Sequence, residues 1–212
     1  MATQTATATP NSVTTQSAAE RIQKLREAYA DAPEVGRVAL DKVRDELEAA
    51  IRLQQQQQQE VSTAGRIGLR RGKVSELTGI VTLAPGGAKR LRLLLNTLGN
   101  NFQGADKVGT LHDMRFVFLD NDTRLLFATA YDGDWDTYIE DFVTKIPDAM
   151  DLIFCNLDGW PGINSPRAKD FIAGFQIPAD TWYVASPNLT VAETKRLERV
   201  GAAVEEFLDK IS

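Results

Sequence analysis

The strongest constraint on the fold is the order of the elements predicted between Leu77 and Leu157. Alternating or β-branched apolar runs predict four strands, at residues 77–83, 110–119, 124–130 and 151–157. Apolar residues at three- and four-residue spacing predict two helices between them, at residues 88–98 and 134–145. The order strand, helix, strand, strand, helix, strand therefore follows from periodicity alone.

This order predicts an α+β protein with a ferredoxin-like βαββαβ core and an antiparallel sheet. A helical and strand extension follows the core, with helices at 165–174 and 190–211 and a strand at Thr181–Ala185. Helices cover one face of such a sheet, and we expect a second copy of the chain to cover the other. The aromatic residues of the two central strands fit that dimer face.

A helical segment and a short linker are predicted before the core. Residues 1–16 are uncharged and poor in large apolar side chains, which is typical of a disordered tail. A capping box at Ser17–Glu20 begins the helical segment 17–64, which ends in a glutamine-rich stretch. Its amphipathic part, residues 33–59, is a candidate surface for a protein partner. Residues 65–76 predict a basic linker, and 77–212 the α+β domain.

The charge and residue counts exclude several classes of protein. Between residues 66 and 92 there are seven basic residues and one acidic residue, but after residue 92 there are ten basic and nineteen acidic ones. The acidic balance of the core argues against nucleic-acid binding. One cysteine and one histidine exclude an internal disulfide and any site that needs two imidazoles. Without an apolar run of membrane-spanning length, and with no signal-peptide pattern at the start, we expect a cytoplasmic protein with no membrane contact.

Two groups of residues are candidate binding sites. Gly86 and Gly87 precede a helix that carries Lys89 and Arg90, a combination that could offer backbone N–H groups and positive charge to an anion. The same residues also suit an ordinary strand-to-helix turn.

His112 is the second candidate. Strict alternation puts His112 on one strand face with Met114 and Phe116, where an imidazole could bind haem or move a proton. Asp132 is its candidate polar partner. A histidine that is hydrogen-bonded near the start of a strand is the alternative, and no metal site is predicted.

Four stretches carry a resemblance to a known family: Leu83–Gly86, Leu111–Arg115, Leu125–Gly133 and Trp182–Ala185. Together they resemble the ferredoxin-like, dimeric α/β-barrel domains found beside, or distantly related to, the dye-decolorising haem peroxidases. The resemblance implies a homodimer and, for its catalytic members, haem. The peroxidase signature Gly-x-x-Asp-Gly corresponds here to Thr129-Ala-Tyr-Asp132-Gly133, in which threonine replaces the first glycine.

Three functions follow as hypotheses. The first is a non-catalytic or weakly catalytic binding and assembly module that dimerises through its sheet. The second is a haem-binding or cofactor-free oxidoreductase with a pocket between sheet and helices. The third is a scaffold protein that assembles through its N-terminal helix.

Overall fold

The computed structural model describes residues 17–57, 62–98 and 103–211. The chain divides into an N-terminal unit, Met1–Gln59, and a C-terminal unit, Glu60–Ser212. The predicted tail at residues 1–16 and the last part of the glutamine run lie outside the described residues.

Two helices, α1 (Ala18–Ala28) and α2 (Glu34–Gln57), form the described part of the N-terminal unit. The predicted capping box is present, since Ser17 Oγ accepts from the Glu20 amide and Glu20 Oε2 accepts from the Ser17 amide. An ion pair of 3.1 Å between Arg26 and Asp41 joins the two helices.

The described residues of the C-terminal unit form an antiparallel sheet of five strands with the order β1-β2-β3-β5-β4. The strands are β1 (Ser62–Thr63), β2 (Leu69–Arg71), β3 (Val74–Thr82), β4 (Leu111–Leu119) and β5 (Arg124–Asp132). The helices are α3 (Gly87–Leu98), α4 (Gln103–Val108), α5 (Trp135–Lys145), α6 (Pro147–Phe154), α7 (Ala168–Phe175) and α8 (Val191–Ile211). The protein is thus an α+β protein with helices before and after its sheet.

The core lies between one face of the sheet and the helices α3, α5, α6 and α7. Alternate residues of β3 and β5 point into it, and the ring of Tyr131 stacks on that of Tyr138 in α5 with 3.8 Å between centroids. Phe127 meets Phe116 on β4 and Phe154 on α6. The strand aromatics therefore lie on the helix-covered face. This corrects the expectation that they form a dimer face, because their rings pack into the core.

The prediction of a fourth strand at residues 151–157 is wrong. Pro147 begins α6 instead, in the first turn where its missing N–H costs nothing. Met150, Ile153 and Phe154 are buried at helical spacing, while Leu152 between them is 56% exposed. A strand would bury alternate residues, whereas burial in this run follows the period of a helix.

The predicted strand at Thr181–Ala185 is also absent from the described sheet, and Tyr183 within it is 84% exposed. The free edge of β3 is already occupied there, because the Ile177 amide bonds the Thr78 carbonyl at 2.7 Å and Gln176 forms a bridge to Gly79. A later segment therefore does not find this edge of β3 open.

Residues 65–76, predicted as a linker, contain β2 and the start of β3 instead. Arg71 pairs with Val74 across the two-residue turn Gly72-Lys73, in which Gly72 has a φ of 59°. Glycine with positive φ at the first turn position is the signature of a type II′ hairpin. That signal was present in the sequence.

Glu76 fastens this edge of the sheet to a distant segment. Its side chain is only 3% exposed and accepts three hydrogen bonds, from the Leu69 amide at 3.1 Å, the Thr78 hydroxyl at 2.9 Å and the Ala179 amide at 3.4 Å. A buried carboxyl group needs such donors to offset its lost hydration.

Candidate functional site

The first turn of α8 is fixed to the sheet by a cluster of charged side chains. Thr190 and Glu193 form the second predicted capping box: the Glu193 amide donates to Thr190 Oγ1 at 3.2 Å, and the Thr190 amide donates to Glu193 Oε2 at 2.8 Å. Lys73 Nζ lies 2.7 Å from Glu193 Oε1. The hydrogen bonds from Lys73 and Thr190 lower the pKa of Glu193 to about 2.

Asp132, at the end of β5, completes this attachment. Its Oδ2 accepts from the Val191 amide at 2.9 Å, and its Oδ1 lies 2.7 Å from His112 Nε2. A carboxylate also suits the positive end of the helix dipole. His112 Nε2 donates to Asp132 Oδ1 in the tautomer that carries its proton on Nε2. Both residues are candidates from the sequence alone, and the structure brings them together.

His112 does not share a face with Met114 and Phe116. A β-bulge at His112 shifts the register, because Leu111 pairs with Tyr131 whereas Asp113 pairs with Ala130. Met114 and Phe116 pack against the core, while the His112 side chain reaches Asp132 and is 25% exposed. The predicted haem-binding set of His112, Met114 and Phe116 is therefore divided between two faces of the sheet.

The residues of the predicted anion site lie in the turn from β3 to α3 and in the first turn of α3. A Cβ on Gly87 would lie 2.4 Å from the Asn156 carbonyl oxygen, so the loop backbone packs closely against residue 156. Arg90 donates to Asn156 Oδ1 at 3.0 Å and to the Pro85 carbonyl at 3.2 Å. Arg90 thus holds the loop in place, and Lys89 beside it is exposed.

The chemistry available to the His112–Asp132 pair is limited by its second bond. An aspartate that orients a histidine can support proton transfer, but Asp132 also holds the α8 backbone. Cys155, exposed at the end of α6, donates to the Leu152 carbonyl at 3.4 Å. Among the described residues no group of three His, Cys, Asp or Glu side chains could hold a metal ion.

Beyond its first turn, α8 is an exposed amphipathic helix. Every residue from Lys195 to Ile211 is exposed. Six large apolar side chains nevertheless line one side of it, each between 47% and 65% exposed: Leu197, Val200, Val204, Phe207, Leu208 and Ile211. We call these six residues the α8 stripe. Five of them follow the alternating three- and four-residue spacing of coiled-coil positions a and d.

The sequence predicts the helix at 190–211 but not its exposure. Its apolar spacing is also typical of a helix packed on a domain core. The signal that could have distinguished the two is the narrow stripe, since a core-facing helix of a globular domain usually adds a third apolar position per heptad.

No protein-family model matches the chain, and no match was found among the curated proteins or the solved structures. Among the helices of the described residues, none has both the length and the apolar character to cross a membrane.

Proposed function

We propose that this protein is a non-catalytic assembly module that self-associates through α8. The observation that carries the proposal is the α8 stripe: six large apolar side chains exposed along one face of a helix that is anchored at its first turn. Helices of this length are marginally stable when isolated in water, so an exposed one is normally stabilised by packing.

A dimer through the α8 stripe would bury twelve large apolar side chains, each of which is about half exposed in the single chain. The removal of apolar surface from water is the main favourable contribution to the association of proteins.

The alternative assembly surfaces have weaker support. The sheet face opposite the helices lacks the strand aromatics, which lie in the core. The α2 helix also exposes apolar residues, among them Val35 and Leu53, but Leu40 and Leu47 of the same helix are half-buried. In the α8 stripe all six members are exposed.

The His112–Asp132 pair has a role in this proposal without catalysis. It fixes the first turn of α8 and so sets the direction in which the helix leaves the sheet. The ferredoxin-like relationship is proposed only for the succession β3, α3, β4, β5 and α5. In that succession β5 lies between β3 and β4, the strand arrangement that such a fold requires.

Light scattering after size exclusion tests the proposal on the full chain at tens of micromolar protein. We expect the wild type to be a dimer and Val204→Glu to be a monomer, because a charge in the stripe would be buried on association and should weaken it about 100-fold or more. The matched control is Ala202→Glu, which adds the same charge on the opposite side of α8 and should leave the dimer intact. A monomeric wild type, or equal effects of both variants, would refute the proposal.

A further inference from the structure

We infer that the partner of the α8 stripe is the α8 stripe of a second copy, packed antiparallel in a two-helix coiled coil. This inference rests on the proposed self-association and specifies its interface. The evidence is the distribution of charge along α8 and the position of its small residues.

The exposed part of α8 is electrically divided along its length. Residues 194–201 carry three basic side chains and one acidic one, whereas residues 202–211 carry three acidic side chains and one basic one. The first and last turns of α8 do match the helix dipole, with Glu193 at the start and Lys210 at the end. The division lies between these turns, where the dipole does not select the sign of a side chain, and it gives the two halves of the exposed helix opposite net charge.

An antiparallel partner of the same sequence satisfies this division. It places the basic half of each helix beside the acidic half of the other, whereas a parallel pair places like charges together. The α2 helix is a poorer match, since its residues 34–45 hold three acids and three bases and show no such division.

Packing suggests the register. Positions a and d alternate across an antiparallel pair, so Leu197 meets Phe207 of the second copy and Val200 meets Val204 of the second copy. The two-fold axis then passes at the level of residue 202. Gly201 and Ala203 flank the stripe at that level, and a Cβ on Gly201 would have no atom within 4 Å. Small flanking residues at the crossing allow the two helices to approach closely.

This register brings two like charges together, because Lys210 lies near Arg196 of the second copy. The charge of Lys210 is balanced by the ion pair that it forms with Glu206 in its own helix. Lys195 likewise contacts Asp106 of its own chain at 2.8 Å. The preference for an antiparallel pair therefore comes from the opposite net charges of the two halves of α8 and not from individual ion pairs.

Cysteine cross-linking tests both the partner and its direction. Val200→Cys and Val204→Cys are made separately in full-length protein with Cys155→Ser, which removes the exposed native thiol. Each variant is oxidised alone and after mixing, and the products are identified by mass spectrometry. We expect the mixed disulfide between the two variants to exceed each homodimeric disulfide by about tenfold, because only residues 200 and 204 face each other within bridging distance. Ala202→Cys, on the opposite side of α8, should form no bridge.

The other results separate this inference from the proposed function. Homodimeric disulfides from each variant alone would show a parallel pair and overturn the antiparallel assignment. A dimer by light scattering that forms no bridge in any mixture would place the interface on another surface, such as α2, and would overturn the inference while leaving self-association standing. A monomeric wild type would overturn both.

Discussion

Replacing Asp132 with alanine should destabilise the C-terminal unit by about 3 kcal/mol. The substitution leaves the Val191 amide at the buried start of α8 without an acceptor, a loss of about 2 kcal/mol for a bond to a charged group. His112 loses a 2.7 Å partner but is 25% exposed and can bond water, so it adds about 1 kcal/mol. Water screens these two interactions little, because only 11% of the Asp132 side chain is exposed.

Urea unfolding followed by tryptophan fluorescence measures this loss, since all three tryptophans belong to the C-terminal unit. In thermal unfolding, the same loss of stability should lower the melting temperature of a unit of this size by about 6–12 °C. Hydrogen exchange of the Val191 amide should also accelerate, which a general loss of packing elsewhere would not single out.

Asp113→Ala is the matched control for Asp132→Ala. Asp113 lies on β4, its side chain is 52% exposed, and its ion pair with Arg115 is long at 3.5 Å. Exposed pairs contribute little, so we expect a change below about 0.5 kcal/mol. Equal unfolding midpoints for the two variants would refute the view that Asp132 anchors α8.

Two further predictions concern pH and packing. Because the folded pKa of Glu193 is lowered to about 2, its pairing with Lys73 contributes fully above the ordinary value of 4.5 and is lost as the pH falls towards 2. Wild type should thus exceed Glu193→Gln in urea stability at neutral pH, and the gap should close in acid; a constant gap would contradict this. Gly79→Ala should cost about 2 kcal/mol, since its Cβ would lie 2.4 Å from a ring of α7. Gly174→Ala, which has open space in an exposed turn of α7, should instead gain about 0.5–1 kcal/mol, and urea titration of both variants would reveal any other order.

Much of the central fold could be predicted because its signals are local. The sequence predicted strands at 110–119 and 124–130, and the structure has β4 at Leu111–Leu119 and β5 at Arg124–Asp132. The turn predicted between them at residues 120–123 is also present, with left-handed backbone at Asp120, Asn121 and Asp122.

The errors come from information that is not local. The period of the run at residues 151–157 depended on which side chains the core would bury, and periodicity over seven residues does not decide that. The bulge at His112 changed the face of one side chain and with it the candidate cofactor site. The pairing of His112 with Asp132 was anticipated, but the bond from Asp132 to the start of α8 joins residues 59 positions apart and had no sequence signature.

The carboxyl group of Glu76 has a consequence for the order in which the chain can fold. Its donors come from β2, from β3 and from Ala179, which follows Glu76 by 103 residues. During synthesis the hairpin of β2 and β3 emerges long before that segment, so Glu76 then lacks one of its donors and keeps its water. Contacts between residues so far apart in sequence form late in folding, because closing the long loop between them costs conformational entropy. The edge of the sheet is therefore expected to close only when the chain beyond α7 has left the ribosome.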